Sequence, residues 1–189
     1  IRSVTGVTPK MVFDKPPRKK EIVIAGTIGK SKIIENLISK GKINVDDISG
    51  KWECYLIQTI TDPFPGVKKA LVIAGSDKRG TIYGIYEISK QIGVSPWHWW
   101  ADVPARHSDE LYILPGRRVY GEPSVRYRGI FLNDEYPDLT KWVASQYGEV
   151  APSVDTPVPT GVANYGSEFY SKIFEVLLRL KGNYLWPAM

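Results

Sequence analysis

An amide and two acids follow directly on a short apolar run in the second half of the chain. The apolar run covers residues 130–132, and Asn133, Asp134 and Glu135 come next. A short continuous apolar run predicts a strand covered on both faces, as in parallel sheets. Ligands and chemistry are found at the carboxyl end of such strands. Two interpretations stay open from this stretch alone: these side chains serve a ligand site, or Asn133 and Asp134 cap the next helix or shape a turn.

The other residues that could carry chemistry give weaker signals. His98 and His107 are the only two histidines, and they do not stand at a spacing that holds a metal, so no metal site is expected. Cys54 is the single cysteine, which excludes a disulfide within the chain. Its apolar, strand-like surroundings predict a buried, inert thiol rather than a nucleophile.

Three glycines precede and enter a helical pattern, but their spacing does not match a nucleotide-binding loop. Gly75, Gly80 and Gly84 fit neither the dinucleotide nor the P-loop pattern. A helix over residues 81–93, with Gly84 allowing close packing, explains them better. The apolar positions expected to face a sheet are Ile82, Ile85, Tyr86 and Ile88.

A dense group of tryptophans lies at residues 97–100, where three of the six tryptophans stand in four positions. Such flat apolar side chains suit either a core plug between two domains or a stacking platform for sugar rings or bases. Pro96 and Pro104 frame the segment as a rigid connection, which favours the plug.

Composition indicates a folded chain without an obvious polyanionic partner. With 189 residues, 43% hydrophobic and 12% aromatic, there is enough apolar material for a packed core. The net charge of +5 comes from basic residues spread among 20 acids, so nucleic acid is not the expected partner. The basic run at residues 15–20 is interpreted as a solvated loop. No apolar run approaches the ~18 residues of a membrane span, and a membrane partner is not expected.

The pattern of residues 1–122 predicts a first α/β domain. Strands are predicted at 21–26, 51–61 and 70–74, the last two joined as an antiparallel hairpin by a turn at 62–66. A helix is predicted at 31–40, capped by Ser31 and ended by Gly41. Residues 110–114 and 117–120 read as a strand pair or sheet edge, and 121–123 as a linker.

Residues 123–189 predict the beginning of a (β/α)8 barrel. After the strand that ends at residue 132, a short helix starts near 136 and an irregular loop covers 151–163. The clearest helix runs over 167–181, capped by Ser167 and ended by Gly182, and a second parallel strand follows at 183–187. Six residues are expected on the apolar face of this helix: Phe169, Ile173, Phe174, Leu177, Leu178 and Leu180. Because the chain begins without Met and stops as a strand finishes, we expect a piece of a longer protein.

Three runs of sequence resemble the xylan α-glucuronidases of glycoside hydrolase family 115. They are GSDKRGTIYGIYEISKQIGVSPWHWWAD from residue 75, GEPSVRYRGIFLNDE from residue 121 and FEVLLRLKGNYLWPAM from residue 174. The resemblance implies an N-terminal α/β domain followed by a (β/α)8 catalytic barrel that is truncated in this chain. It also implies removal of 4-O-methyl-glucuronic acid from glucuronoxylan with inversion, no cofactor, secretion, and a possible homodimer through further domains.

The same resemblance implies roles for the residues of the opening stretch. Asp134 is the catalytic candidate, as a base, a pKa-setting neighbour or a ligand of a substrate hydroxyl. Asn133 would hydrogen-bond the uronic acid, Trp186 would stack on or wall the sugar, and Glu135 is included among the substrate-binding residues. Asp134 and Glu135 are adjacent on a strand end and are not expected to be the acid and base pair. Lys90 departs from the family pattern, which often has an acid there.

Two other functions remain alternatives. The first is another barrel glycosidase, either hexosaminidase-like or an α-glucuronidase of oligosaccharides. The second is a non-catalytic module in which the tryptophans of residues 97–100 and the basic surface bind carbohydrate or nucleic acid. The second alternative predicts that these tryptophans are exposed.

Overall fold

The computed structural model describes residues 1–13, 15–17, 19–133, 137–151 and 161–187. The chain divides into two compact units, Ile1–Ser124 and Val125–Met189. The functions assigned from the sequence to residues 1–122 and 123–189 stay predictions. Among the described residues, no helix is both long and apolar enough to cross a membrane.

The first unit is built on a four-stranded mixed sheet. Its strands are β1 Glu21–Thr27, β2 Tyr55–Phe64, β3 Val67–Gly75 and β4 Arg117–Tyr120. They lie in the order β1-β3-β2-β4. β2 and β3 form the predicted antiparallel hairpin, β1 pairs with β3 in parallel, and β4 pairs with β2 in the antiparallel sense.

The hairpin is longer than the sequence predicts. β2 continues to Phe64 because a bulge between Thr61 and Phe64 absorbs Asp62 and Pro63, and the remaining turn is only Pro65 and Gly66. Residues 51–54, which were predicted as part of the strand, precede it, and residues 110–114 form no strand.

The short helix α1, Arg2–Thr5, precedes β1. Helix α2, Lys32–Ser39, follows β1 as predicted. The Ser31 hydroxyl accepts a hydrogen bond from the Ile34 N–H at 3.4 Å, which confirms its role as the cap. Ile34 and Leu37 are fully buried in the core against β1, β2 and β3.

Helix α3, Lys78–Gln91, begins three residues earlier than predicted because Asp77 caps it. The Gly80 N–H donates to Asp77 Oδ1 at 2.7 Å. The predicted close packing at Gly84 is confirmed, since a Cβ there would lie 2.5 Å from Ile73 Cγ2. The predicted apolar stripe is wrong at Ile85, which is 43% exposed, and it omits Tyr83, which is buried. The other three predicted positions are half-buried: Ile82, Tyr86 and Ile88.

The reason is that glycines fix the rotation of α3 about its axis. A Cβ on Gly80 would lie 2.1 Å from the Cys54 carbonyl oxygen, so only a glycine face approaches the sheet this closely. Once the glycines and Tyr83 face the sheet, Ile85 points away from it.

The second unit contains two parallel strands joined through two helices. The strands are β5 Gly129–Phe131 and β6 Tyr184–Trp186, and the helices are α4 Asp138–Tyr147 and α5 Ser167–Arg179. The predicted strand, helix, strand order with parallel pairing is confirmed. Whether further strands close a barrel stays a prediction.

Both predicted end signals of α5 are displaced by one residue. The cap is Gly166, which makes no side-chain hydrogen bond, rather than Ser167. At the other end, Lys181 rather than Gly182 takes the left-handed conformation, with φ 61°. Gly182 is required for another reason, because a Cβ there would lie 2.7 Å from Leu177 Cδ1.

The buried face of α5 is narrower than predicted. Four residues at helical spacing are buried: Phe169, Ile173, Val176 and Leu177. Phe174 and Leu180 are 49% and 46% exposed, which contradicts the prediction. Phe174 follows the buried Ile173 and is turned about 100° away from it around the helix. Leu180 lies beyond the last helical residue, so neither side chain reaches the buried side.

Candidate functional site

The carboxyl ends of β5 and β6 lie side by side. Phe131 pairs with Trp186 in the parallel register, and the Leu132 N–H donates to the Trp186 carbonyl oxygen at 2.9 Å. Asn133, the next residue, is exposed at this end of the sheet. The structure therefore brings two of the predicted site residues, Asn133 and Trp186, to the same end of one strand pair.

Two aromatic rings form an exposed surface there, which we call the Phe131–Trp186 pair. The ring centroids are 5.3 Å apart with an interplanar angle of 74°, an edge-to-face contact. Phe131 is 56% exposed and Trp186 is 54% exposed. An exposed ring held by a second ring can stack against the C–H face of a sugar.

β5 is only partly covered by the described residues of this chain, and the expectation of a strand covered on both faces stays a prediction. Ile130 is 39% exposed, and only Leu132, just after the strand, is buried. The reason is that β5 belongs to a two-stranded sheet, and one parallel neighbour and the packed helices leave the rest of its surface open.

The opposite end of the strand pair is held by Arg128. Its guanidinium group donates to the Lys181 carbonyl oxygen from Nε at 3.0 Å and from Nη2 at 2.8 Å. Nη1 donates to the Val125 carbonyl oxygen at 2.7 Å. One side chain thus ties the segment before β5 to the end of α5, with charge-assisted bonds.

Asn183 completes this connection by bonding to the main chain before β5. Its Oδ1 accepts from the Arg128 N–H at 2.9 Å, and its Nδ2 donates to the Arg126 carbonyl oxygen at 2.7 Å. Together Arg128 and Asn183 fix the register that places Phe131 beside Trp186. The sequence analysis missed both residues, because main-chain partners leave no pattern of complementary charges to find.

The catalytic candidate Asp134 and the substrate-binding candidate Glu135 lie outside the described residues. Their assigned roles stay predictions. The helix that follows begins at Asp138 with Pro137 at its cap position, so the alternative that Asn133 caps it is wrong.

The remaining candidates behave as surface or core residues. Cys54 is fully buried, as predicted, and burial raises the pKa of its thiol. His98 Nδ1 lies 3.2 Å from the Ser95 carbonyl oxygen, and His107 Nε2 lies 3.0 Å from Asp109 Oδ1. No group of three or more His, Cys, Asp and Glu side chains suited to a metal ion occurs in the described ranges.

The tryptophan segment is only partly buried within the chain. Trp97 is 47% exposed, whereas Trp99 and Trp100 are half-buried and meet edge to face with centroids 4.8 Å apart. Its placement as a plug between domains stays a prediction. Lys90 is exposed in the last turn of α3.

Two comparisons with known proteins point to one family of glycoside hydrolases. A family model described as glycosyl hydrolase family 115 matches residues 120–189, which include β5, β6 and the helices between them. A solved structure named a family GH115 4-O-methyl-alpha-glucuronidase, BtGH115A, with specificity for decorated arabinogalactans, is 39% identical with a TM-score of 0.70. The match covers 88% of this chain and 20% of that one. A comparison with curated proteins found no significant match.

The family match includes the strand pair that carries Asn133 and Trp186. The structural match extends the relationship over most of the first unit as well, at an identity well above the level at which only a fold is shared. This chain, which spans about one fifth of its solved relative, belongs to glycoside hydrolase family 115.

Proposed function

We propose that this chain forms part of a glycoside hydrolase that removes 4-O-methyl-glucuronic acid side groups from glucuronoxylan with inversion. The observation that carries the proposal is the parallel pairing of Phe131 with Trp186, next to the exposed Asn133. Membership of this glycosidase family supports the same location, because a barrel enzyme holds its substrate at the carboxyl ends of its strands. We propose that β5 and β6 are the first two strands of that barrel.

Each site residue has a role in this proposal. The Asn133 amide hydrogen-bonds the uronic acid, and Trp186 stacks on its ring with support from Phe131. Asp134 acts on the reaction, as the base, as a neighbour that sets a pKa, or as a ligand of a substrate hydroxyl, and Glu135 contacts substrate. Inversion requires an acid and a base ~6.5–9.5 Å apart. Because Asp134 and Glu135 are adjacent in the sequence and are not expected to be that pair, at least one of the two groups comes from elsewhere in the barrel.

The substrate backbone has a second candidate. The solved relative is named for specificity toward decorated arabinogalactans. An arabinogalactan carrying 4-O-methyl-glucuronic acid presents the same uronic acid on a different polymer, so the pocket proposed around Asn133 and Trp186 would serve both. Release of the acid from glucuronoxylan and from arabinogalactan by the intact protein, measured side by side, decides between the two polymers.

Site variants of the intact protein test the proposal. We expect Asp134→Asn to lower kcat about 10²-fold or more if Asp134 acts in the chemical step. Glu135→Gln is the neighbouring control, and we expect it to raise KM with a smaller change in kcat. Release of 4-O-methyl-glucuronic acid is the measurement. Full activity of Asp134→Asn would remove that residue from the mechanism.

Trp186 offers an independent test of the same pocket. We expect Trp186→Ala to raise KM about tenfold, because stacking is lost, and Trp186→Phe to recover most of it. Trp97→Ala, which alters another exposed tryptophan, is the matched control and should leave KM unchanged. An intact, well-folded protein that releases no uronic acid from either polymer would refute the proposed function.

Secretion and a homodimer complete the proposal, since polysaccharides lie outside the cell and the resemblance implies further domains that could associate. The expected outcome is activity in the culture medium of the producing cells and a solution mass of twice the subunit. A monomeric mass would exclude the dimer and leave the activity untouched.

A further inference from the structure

A basic cavity surrounds the tip of the β2–β3 hairpin, and no role in the proposed reaction falls to it. The cavity has a volume of about 560 Å³, within the range of ~300–1,000 Å³ that small ligands occupy. Four lysines line it: Lys20, Lys40, Lys42 and Lys68. Among the described residues that line it, Asp62 carries the only negative charge. We call this cavity the hairpin pocket.

The lysines reach the hairpin pocket from three separate parts of the chain. Lys20 ends the basic run before β1, Lys40 and Lys42 follow α2, and Lys68 lies in β3. The Lys68 N–H donates to the Lys20 carbonyl oxygen at 2.8 Å, which fixes those two residues as neighbours. Lys20, the last residue of the basic run, therefore contributes to a convergent positive surface.

The floor of the pocket is apolar and conformationally restricted. The bulge after Thr61 places Pro63 and Phe64 at the hairpin tip, where Pro63 is buried and Phe64 packs half-buried against the core. Asp62 holds a left-handed conformation with φ 47° in the same bulge. Proline and a fixed bulge present the apolar floor and the surrounding lysines in one arrangement.

We propose that the hairpin pocket binds a carboxylate-bearing oligosaccharide, as a polysaccharide-docking site separate from the site at Asn133 and Trp186. The lysine ammonium groups bind the uronic acid carboxylates, and the exposed ring of Pro65 contacts the C–H face of a sugar ring. Nucleic acid fits less well, because the one aromatic ring in the lining, that of Phe64, is half-buried and offers little surface on which bases can stack.

The choice of a saccharide as the ligand rests on the proposed function. The convergence of four lysines on the hairpin pocket is observed independently of that function. The test uses the trimer of α-1,4-linked galacturonate, with its fully methyl-esterified form as the uncharged equivalent. Isothermal titration of the whole chain should show binding of the charged trimer only, weakened as salt rises from ~50 to ~500 mM. Hydrolysis of glucuronoxylan plays no part in this measurement, so failure here and failure of the proposed activity are separate outcomes.

Matched charge variants locate the site. We expect the double variant Lys42→Gln, Lys68→Gln to bind the trimer about tenfold more weakly. The control Lys30→Gln, Lys32→Gln removes the same net charge from exposed positions that do not line the pocket, and should bind as the parent does. Circular dichroism of both variants checks that the fold is kept.

Three results would overturn the inference. One is the absence of trimer binding to the parent chain. Another is equal weakening by both double variants, which would mean a diffuse charge effect. The third is binding of a short single-stranded DNA as tightly as the trimer, which would assign the pocket to polyanions in general.

Discussion

Arg128 directs its guanidinium group at main-chain carbonyl oxygens rather than at an acid. Its bonds to Lys181 and Val125 hold two chain segments that are distant in sequence. Lys181 sits in a left-handed conformation that costs a non-glycine residue free energy. The two bonds to its carbonyl oxygen help keep that conformation in place.

Removing this side chain should destabilise the second unit. We expect Arg128→Met to lower the free energy of unfolding by about 2–4 kcal/mol, because several carbonyl oxygens lose a charged donor. Arg128→Lys should recover only part, since an ammonium group cannot reproduce the planar fork. Urea denaturation is the measurement. Arg106→Met, at an exposed position of the first unit, is the control and should cost less than about 0.5 kcal/mol.

Tyr55 makes the stability of the first unit sensitive to alkaline pH. Burial raises the pKa of its hydroxyl above the ordinary value, with the nearby charge of Glu87 as the next cause. Tyr120, whose ring stacks on Tyr55 with centroids 4.4 Å apart, also has a raised pKa, mainly through burial. Because the folded state keeps these protons, its stabilisation is complete below about pH 10 and declines as the pH rises above that value.

We therefore expect the free energy of unfolding to fall as the pH rises from about 10 to about 12, and to fall less steeply in Tyr55→Phe. Urea denaturation across this range measures the slope. The control is Tyr127→Phe, whose ring is 69% exposed, and its slope should equal that of the parent. Equal slopes for the parent and Tyr55→Phe would contradict the expectation.

At the scale of elements, glycines set how closely strands and helices approach. A Cβ on Gly129 would lie 1.7 Å from the Tyr184 carbonyl oxygen, a separation that no repacking of side chains can relieve. β5 can therefore pair with β6 in this register only if residue 129 is glycine. The same reasoning explains why Gly80 and Gly84 determine which side of α3 is buried.

Gly129→Ala should separate β5 from β6 and displace Trp186 from Phe131. We expect a loss of at least about 3 kcal/mol in the free energy of unfolding and a change in tryptophan fluorescence. Gly121→Ala is the matched control, because a Cβ there has no neighbour within 4 Å. A Gly129→Ala variant as stable as the control would refute the tight pairing.

The apolar periodicity of the sequence and its capping and turn residues predict most of the strands and helices, but not which faces of the helices are buried. The hairpin, the α2 cap at Ser31 and the parallel pairing of β5 with β6 follow from local patterns that the structure confirms. The buried faces of α3 and α5 do not, because glycine contacts and the ends of a helix decide them. Apolar residues alone point to the wrong stripe when a glycine must face the sheet.

At the scale of the whole molecule, the sequence predicts where the candidate site lies, at the carboxyl ends of two strands, but not all of the residues that form it. The strand-end rule leads to Asn133, and the resemblance to a family adds Trp186. Neither the strand-end rule nor the resemblance identifies Arg128 and Asn183, because their partners are backbone atoms that any sequence supplies. The proposal assigns at least one of the two groups, the acid or the base, to other strands of the barrel, and the residues of this chain carry no signal that identifies it.

The first unit also has a surface charge that the overall composition conceals. A net charge of +5 suggests an evenly basic molecule, yet four lysines converge on one cavity. A uronic-acid polymer bound at the hairpin pocket would raise the local concentration of substrate for the intact protein. The trimer titration therefore bears on how such a protein stays on its polymer.

The single cysteine has a practical consequence for all of these measurements. Cys54 is fully buried and the pKa of its thiol is raised, so it reacts slowly with maleimides in the folded chain. A cysteine introduced by Ser39→Cys, at an exposed position next to Lys40 that does not itself line the pocket, would then be the one thiol that takes a fluorescent label. Arrival of an acidic saccharide at the hairpin pocket could be followed from that position without first removing a native thiol.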